Sequence, residues 1–175
     1  RFSPDGESLV FISDQSGSDN VWILNLENKE RRQLTKDENQ NYFSADWSND
    51  GEYIVAAKGR RNIKLHLYNH QGGSGAQLIE KPAGLKSIDP AFSANGKSIY
   101  FSKRKGAWDY NAQLPQYQIG VYDMIEGKVK TFSSRYGSAF APTPSPNGKW
   151  LVYGSRYEDE TGLILHNLIN GDEKW

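Results

Sequence analysis

The chain has 175 residues and a mass of 19.8 kDa, and its 21 Lys plus Arg are balanced by 21 Asp plus Glu. Zero net charge argues against nucleic acid or an anionic membrane surface as the main partner, since both select for a basic excess. The absence of cysteine excludes disulfides, thiol catalysis and thiolate metal sites. No apolar run approaches the ~20 residues that span a bilayer, so membrane insertion is not expected. Five Trp, ten Tyr, seven Phe and 17 Gly point to strands joined by many turns. The chain opens at Arg1 in mid-pattern, so any targeting signal is expected upstream.

The first predicted element is a turn, Phe2-Ser3-Pro4-Asp5-Gly6, followed by the strand Leu9-Val10-Phe11-Ile12-Ser13. A polar turn from Asp14 to Asp19 leads to a strand from Val21 to Leu26, and a second turn leads to Arg31-Arg32-Gln33-Leu34-Thr35. The same grammar then repeats. Tyr42 to Trp47 is a strand running into Trp47-Ser48-Asn49-Asp50-Gly51, followed by strands at Tyr53 to Ala57, Ile63 to Tyr68 and Gly75 to Leu78. The third unit runs from Ser87 through Phe92-Ser93-Ala94-Asn95-Gly96 to strands at Ile99 to Ser102, Ile119 to Asp123 and Lys128 to Phe132. The fourth runs from Ser138 through Pro144-Ser145-Pro146-Asn147-Gly148 to Trp150 to Gly154, Leu163 to Leu168 and a stub ending at Trp175.

The box glycines recur at intervals of 45, 45 and 52 residues. Asp-Gly or Asn-Gly between two apolar strands supplies the positive φ of a short turn, because glycine has no Cβ to clash. Asp5, Gly6, Asp50, Gly51, Asn95, Gly96, Asn147 and Gly148 are therefore structural turn residues. They are not a phosphate loop, which needs a helix to follow. Four short antiparallel strands per ~45 residues, with no helical period, define a β-propeller blade. The fold class is all-β: a propeller fragment of about four four-stranded blades, near residues 1–36, 37–81, 82–133 and 134–175. Inner-strand aromatics and alanines are expected to line its channel.

The Phe-Ser-Pro-Asp-Gly box, the turn from Ser13 to Gly17, Asn20-Val21-Trp22 and the ending Gln33-Leu34-Thr35 resemble the TolB-like propeller repeat. Such blades serve TolB scaffolds, tricorn-type and prolyl-oligopeptidase-type serine peptidases, and other proteins. Tyr110-Asn111-Ala112-Gln113, the run from Ser145 to Arg156, and Thr161-Gly162-Leu163 resemble the N-terminal propeller of bacterial TolB-type amidohydrolases. That resemblance implies an attached hydrolase domain acting on C–N bonds with zinc or another divalent metal, and a periplasmic or envelope location. The chain itself is expected to hold no cofactor. Family propellers usually have six or seven blades, so the chain is expected to be part of a longer one. Alone, it is expected to close as a small ring or to pair with a second copy.

The long third interval reflects an extended connection from Lys103 to Tyr117, placed on the face that also carries the links between blades. Long loops bearing aromatic and charged residues are common functional sites. Arg104, Trp108, Asp109, Tyr110 and Tyr117 are accordingly the candidate contacts for a protein, peptide or adjoining domain, with Arg104 as an anion partner. The plainer reading of the same residues is that the loop covers the rim of the channel or packs on a neighbouring domain. His66 and His70 lie on a strand and in the turn after it, ~13 Å apart, too far to share an ion. His166 occupies an ordinary outer-strand register. Gly72-Gly73-Ser74-Gly75 reads as a hairpin turn rather than a nucleophile elbow. The run from Lys58 to Lys64 reads as a solvated turn. No catalytic or metal-binding residue is assigned, and the leading function is a docking platform.

Overall fold

The computed structural model describes residues 1–79, 86–104, 116–133, 137–157 and 160–175. Among them, fifteen strands form four antiparallel sheets, each a meander in which sequence neighbours pair. The first sheet has three strands, β1 (Ser8–Ser13), β2 (Asn20–Asn25) and β3 (Arg31–Gln33). Its inner position is reached only by an isolated bridge from Phe2 to Leu9. The second comprises β4 (Asn41–Trp47), β5 (Tyr53–Gly59), β6 (Lys64–Asn69) and β7 (Gly72–Gln77). The third comprises β8 (Ser87–Phe92), β9 (Ser98–Arg104), β10 (Tyr117–Asp123) and β11 (Lys128–Thr131). The fourth comprises β12 (Ser138–Pro144), β13 (Trp150–Tyr157), β14 (Glu160–Asn167) and β15 (Glu173–Lys174).

Each sheet packs face to face on the next, and β8, the inner strand of the third sheet, packs against both β4 and β12. No comparable packing joins the fourth sheet back to the first among the described residues. The described strands are arranged as an arc of propeller blades.

Strand alternation explains the three cores. In β5, Ile54 and Ala56 face the first blade, while Val55 and Ala57 face the third. Both sides of a middle blade are therefore apolar, and the strand reads as a nearly continuous hydrophobic run. Val10, Val21 and Ile23 meet Ile54 and Tyr68 in the first seam. Leu65 joins Ile99 and Phe101 in the second, and Ile119 joins Leu151, Tyr153 and Ile164 in the third. Each such fully buried side chain contributes about 1.5–3 kcal/mol.

The four boxes fold alike. The serine hydroxyl donates to the side chain of Asp5, Asp50, Asn95 or Asn147. The same side-chain oxygen accepts the N–H of the residue after glycine. The serine oxygen in turn accepts the N–H that opens the next strand, from Ser8, Tyr53, Ser98 or Trp150. The glycines have φ of 74°, 77°, 69° and 68°. A second repeated turn, between third and fourth strands, is capped by Asn25, Asn69, Asp123 and Asn167, whose side-chain oxygens accept N–H groups two or three residues on.

One expected turn is a strand instead. Gly72 to Gly75 belongs to β7, where a Cβ on Gly75 would lie 2.4 Å from the Tyr68 ring, so glycine lets that ring cover the strand. Thr161 and Gly162 extend β14 and stand opposite Arg156 and Ser155.

Candidate functional site

The site is the axial channel and its upper mouth, the end opposite the boxes. Each inner strand carries an irregularity, between Tyr42 and Ser44, Ile88 and Ala91, and Phe140 and Thr143. The last two bulges coincide with Asp89-Pro90 and Ala141-Pro142, each seven residues before its box glycine. Proline donates no ladder hydrogen bond, so a bulge is where a paired inner strand tolerates it. Asp89 and Ala141 both have φ of 52°, which aims their N–H groups at the preceding blade. Asp89 N–H donates to Ser44 Oγ at 2.9 Å and Ala141 N–H to Ser102 Oγ at 2.8 Å. Ser102 Oγ in turn donates to Asp89 Oδ2 at 2.9 Å. One buried serine thus ties both bulges together.

The channel is more polar than expected, because Asp46 and Asp89 sit in it beside the alanines. Asp46 Oδ2 accepts the Phe92 N–H at 2.9 Å, and its Oδ1 lies 3.8 Å from Arg1 Nε. Burial pushes the Asp46 carboxyl above the ordinary carboxylate range, against the pull of the Phe92 amide and Arg1. Burial likewise raises Asp89, opposed by the Ser102 hydroxyl and by Arg1. A raised carboxyl binds its proton more tightly folded than unfolded, so its contribution to stability falls as pH rises through the folded value. Asp46→Asn keeps an acceptor for Phe92 and carries no charge to bury. It is therefore expected to be more stable than the parent in urea at pH 7. That advantage should vanish below the unfolded value of 3.8.

At the upper mouth, Arg104 at the end of β9 is the direct cross-strand partner of Tyr117 at the start of β10. Tyr117 N–H donates to Ser138 Oγ of the fourth blade at 2.9 Å. Ser138 stands opposite Arg156, whose guanidinium lies 5.1 Å from the centre of the Phe140 ring. These neighbours form a string of Arg, Tyr, Ser and Arg across two blades. Burial raises the Tyr117 phenol, Arg104 and Arg156 oppose the shift and Asp89 adds to it. Of the five residues expected to make contacts, Arg104 and Tyr117 are thus brought together, while Trp108, Asp109 and Tyr110 lie outside the described residues. Arg156 and Asp89 were missed. Arg156 occupies the register of Arg104, eight residues after the box glycine, which is the signal that would have found it.

The seam between the first two blades holds a second polar cluster. Asp37 accepts the Tyr42 hydroxyl at 2.5 Å and pairs with Lys58 at 3.0 Å, and the Tyr42 and Tyr68 hydroxyls are 2.8 Å apart. Lys58 pairs with Asp37, whose backbone is bound by the Asn20 side chain of the first blade, and Lys64 is only 7% exposed, so the basic run is not simply a solvated turn. Arg60 and Arg61 between them are exposed. His66 stacks on Tyr68, His70 lies beside Trp47, and His166 Nδ1 is 3.0 Å from Glu173. Among the described residues no group of three or more His, Cys, Asp or Glu side chains is placed to hold a metal ion. No helix among them is long and apolar enough to cross a membrane.

The family described as TolB beta propeller domain matches residues 1–174. The chain belongs to the TolB beta-propeller family. This TolB-type propeller is 28% identical over 160 residues to the uncharacterized peptidase YuxL of Bacillus subtilis (strain 168), covering 89% of the chain and 21% of that protein. Its fold matches TolB from Acinetobacter baumannii with a TM-score of 0.81 at 16% identity, covering 99% of the chain and 41% of TolB. A puromycin hydrolase mutant complexed with PGG matches with a TM-score of 0.75 at 17% identity, covering 99% of the chain and 27% of the hydrolase. The TolB-type propeller thus spans well under half the length of these relatives.

Proposed function

We propose that this propeller segment is a non-catalytic recognition platform whose upper mouth receives an extended peptide or a segment of a partner or adjoining domain. The observation that carries the reading is the string Arg104, Tyr117, Ser138 and Arg156. It sets two cations and a phenol near one another at strand ends of two adjoining blades. Function placed on strand ends over a rigid scaffold is a common arrangement. The likeness to YuxL supports a peptidase setting, in which the propeller filters what reaches a hydrolase domain. The likeness in fold to A. baumannii TolB supports a scaffold of the bacterial envelope. Attachment to an amidohydrolase domain, with its metal held there, belongs to the same proposal.

The test is peptide binding by fluorescence anisotropy, on the intact protein and on its Arg104→Ala/Arg156→Ala variant. About a tenfold loss of affinity is expected for carboxylate-bearing peptides. Unchanged affinity, or amide or ester hydrolysis by the chain itself that is abolished by mutating His66, Ser74 or Asp109, would refute the reading. Reading the sequence past Trp175 separates the settings. A Gly-x-Ser-x-Gly elbow indicates a serine peptidase, a His-x-His barrel an amidohydrolase, and two or three further blades a TolB-type scaffold.

A further inference from the structure

The lower face, which carries the boxes, is divided by charge. The first two boxes continue Asp5-Gly6-Glu7 and Asp50-Gly51-Glu52, whereas the last two continue Asn95-Gly96-Lys97 and Asn147-Gly148-Lys149. Four acids on blades one and two thus give way to two amides and two lysines on blades three and four. In every blade the residue after glycine also positions the second lower turn through its carbonyl. The oxygens of Glu7, Glu52, Lys97 and Lys149 accept the N–H groups of Leu26, His70, Met124 and Leu168. The residue following each of these is the exposed tip of that turn. It is Glu27 and Gln71 on the acidic half, but Ile125 and Ile169, 79% and 74% exposed, on the basic half.

Between those two blades lies a cleft of about 540 Å³, walled by Tyr100, Phe132, Pro144, Pro146 and Leu168. Tyr100 and Phe132 meet edge to face at 5.7 Å, a fixed aromatic wall. The acids of these two turns are engaged locally: Glu126 lies 3.8 Å from Lys130, Asp123 accepts the Ile125 and Glu126 N–H groups, and Asp172 accepts the Asn170 side-chain amide. Apolar tips, an aromatic cleft and two lysines therefore coincide on one half of one face, whereas Glu7, Glu52, Glu27 and Gln71 hold the matching positions on the other half.

We propose that the lower face of blades three and four docks an acidic protein segment bearing an apolar anchor. The anchor enters the cleft, its acids meet Lys97 and Lys149, and Ile125 and Ile169 cover its flanks. Charge complementarity selects this half, because the same segment brought to blades one and two meets Asp5, Glu7, Asp50 and Glu52. A second copy of the chain is the weaker occupant. Its acidic half offers charge, but polar Glu27 and Gln71 stand where an apolar anchor is needed. This surface lies at the opposite end of the strands from the upper mouth and stands independently of its role.

The probe is a fluorescein-labelled decapeptide of Asp and Glu around a central Leu-Phe pair, with a Lys-substituted twin as control, titrated into the intact protein. Binding of the acidic probe alone is expected. It should weaken about tenfold in Lys97→Glu/Lys149→Glu and again in Ile125→Asn/Ile169→Asn, but not in Glu7→Lys/Glu52→Lys. All these positions are exposed turn residues, and circular dichroism melts matching the parent are expected for each variant. Equal binding of the basic twin, no binding of the acidic probe, or affinities unmoved by both double variants on blades three and four would overturn the proposal. So would self-association in sedimentation that Lys97→Glu/Lys149→Glu abolishes and that excludes the probe.

Discussion

Replacing Phe101 by Ala is expected to destabilise the protein by about 3–5 kcal/mol, read from the shift in urea midpoint. Phe101 is fully buried in the seam between blades two and three. Its direct cross-strand partner is Gly120, and a Cβ built there would lie 2.6 Å from the ring tip. The ring occupies the volume that any larger residue would need. Gly120→Ala alone therefore overpacks the seam, at a cost of about 1–3 kcal/mol. In the double variant the new methyl enters the space the ring has left. The two costs should then fall short of additivity by more than ~0.5 kcal/mol, and simple additivity would refute the packing. The pairing recurs as Tyr68 over Gly75, Phe140 over Gly154 and Trp175 over Gly162. A ring laid across a strand glycine covers backbone that has no side chain of its own to shield it. Phe101 also matters at the axis, because the next residue, Ser102, holds both inner-strand bulges.

These features differ in how far the sequence exposes them. The boxes are legible because both chemical requirements, a capping oxygen and a residue at positive φ, are met by few residue types and recur in register. The second lower turn is built as regularly, yet only its capping Asn or Asp is constant, so Asn25, Asn69, Asp123 and Asn167 do not announce a motif. The bulges had a signal in Pro90 and Pro142, since a proline inside a paired inner strand requires one. Lys64 had none. It takes the strand position of Asn20 and Gln118, whose side-chain oxygens accept hydroxyl bonds from Thr35 and Ser133. A lysine there looks like a solvent-facing residue until the neighbouring blade is in place. Arg104 and Tyr117 were legible as flanks of a long connection. Arg156 was hidden by a connection of ordinary length. The division of the lower face is written in the boxes themselves, but a net charge of zero conceals it.

Gly59→Ala is expected to cost about 3 kcal/mol or more, well beyond Gly6→Ala at about 1 kcal/mol. Both glycines have positive φ, 147° and 74°. Around Gly6 a Cβ would meet nothing within 4 Å, so the penalty is conformational only. At Gly59 it would lie 2.0 Å from the carbonyl oxygen of Asn62 and 2.9 Å from its carbon. Those are backbone atoms of the turn that closes β5 onto β6, and no side-chain rotation relieves them. The turn must open instead. Ile63, at its end, accepts the N–H of Ser87, a buried residue at the start of β8. Two residues further along that strand is Asp89, so strain introduced at Gly59 reaches the bulge that steadies the upper mouth. Hydrogen exchange at the Ser87 amide should accelerate in Gly59→Ala by more than the global loss of stability requires, and stay coupled to global unfolding in Gly6→Ala. Equal costs for the two variants, with Ser87 protected alike in both, would show that the turn and the mouth are mechanically independent.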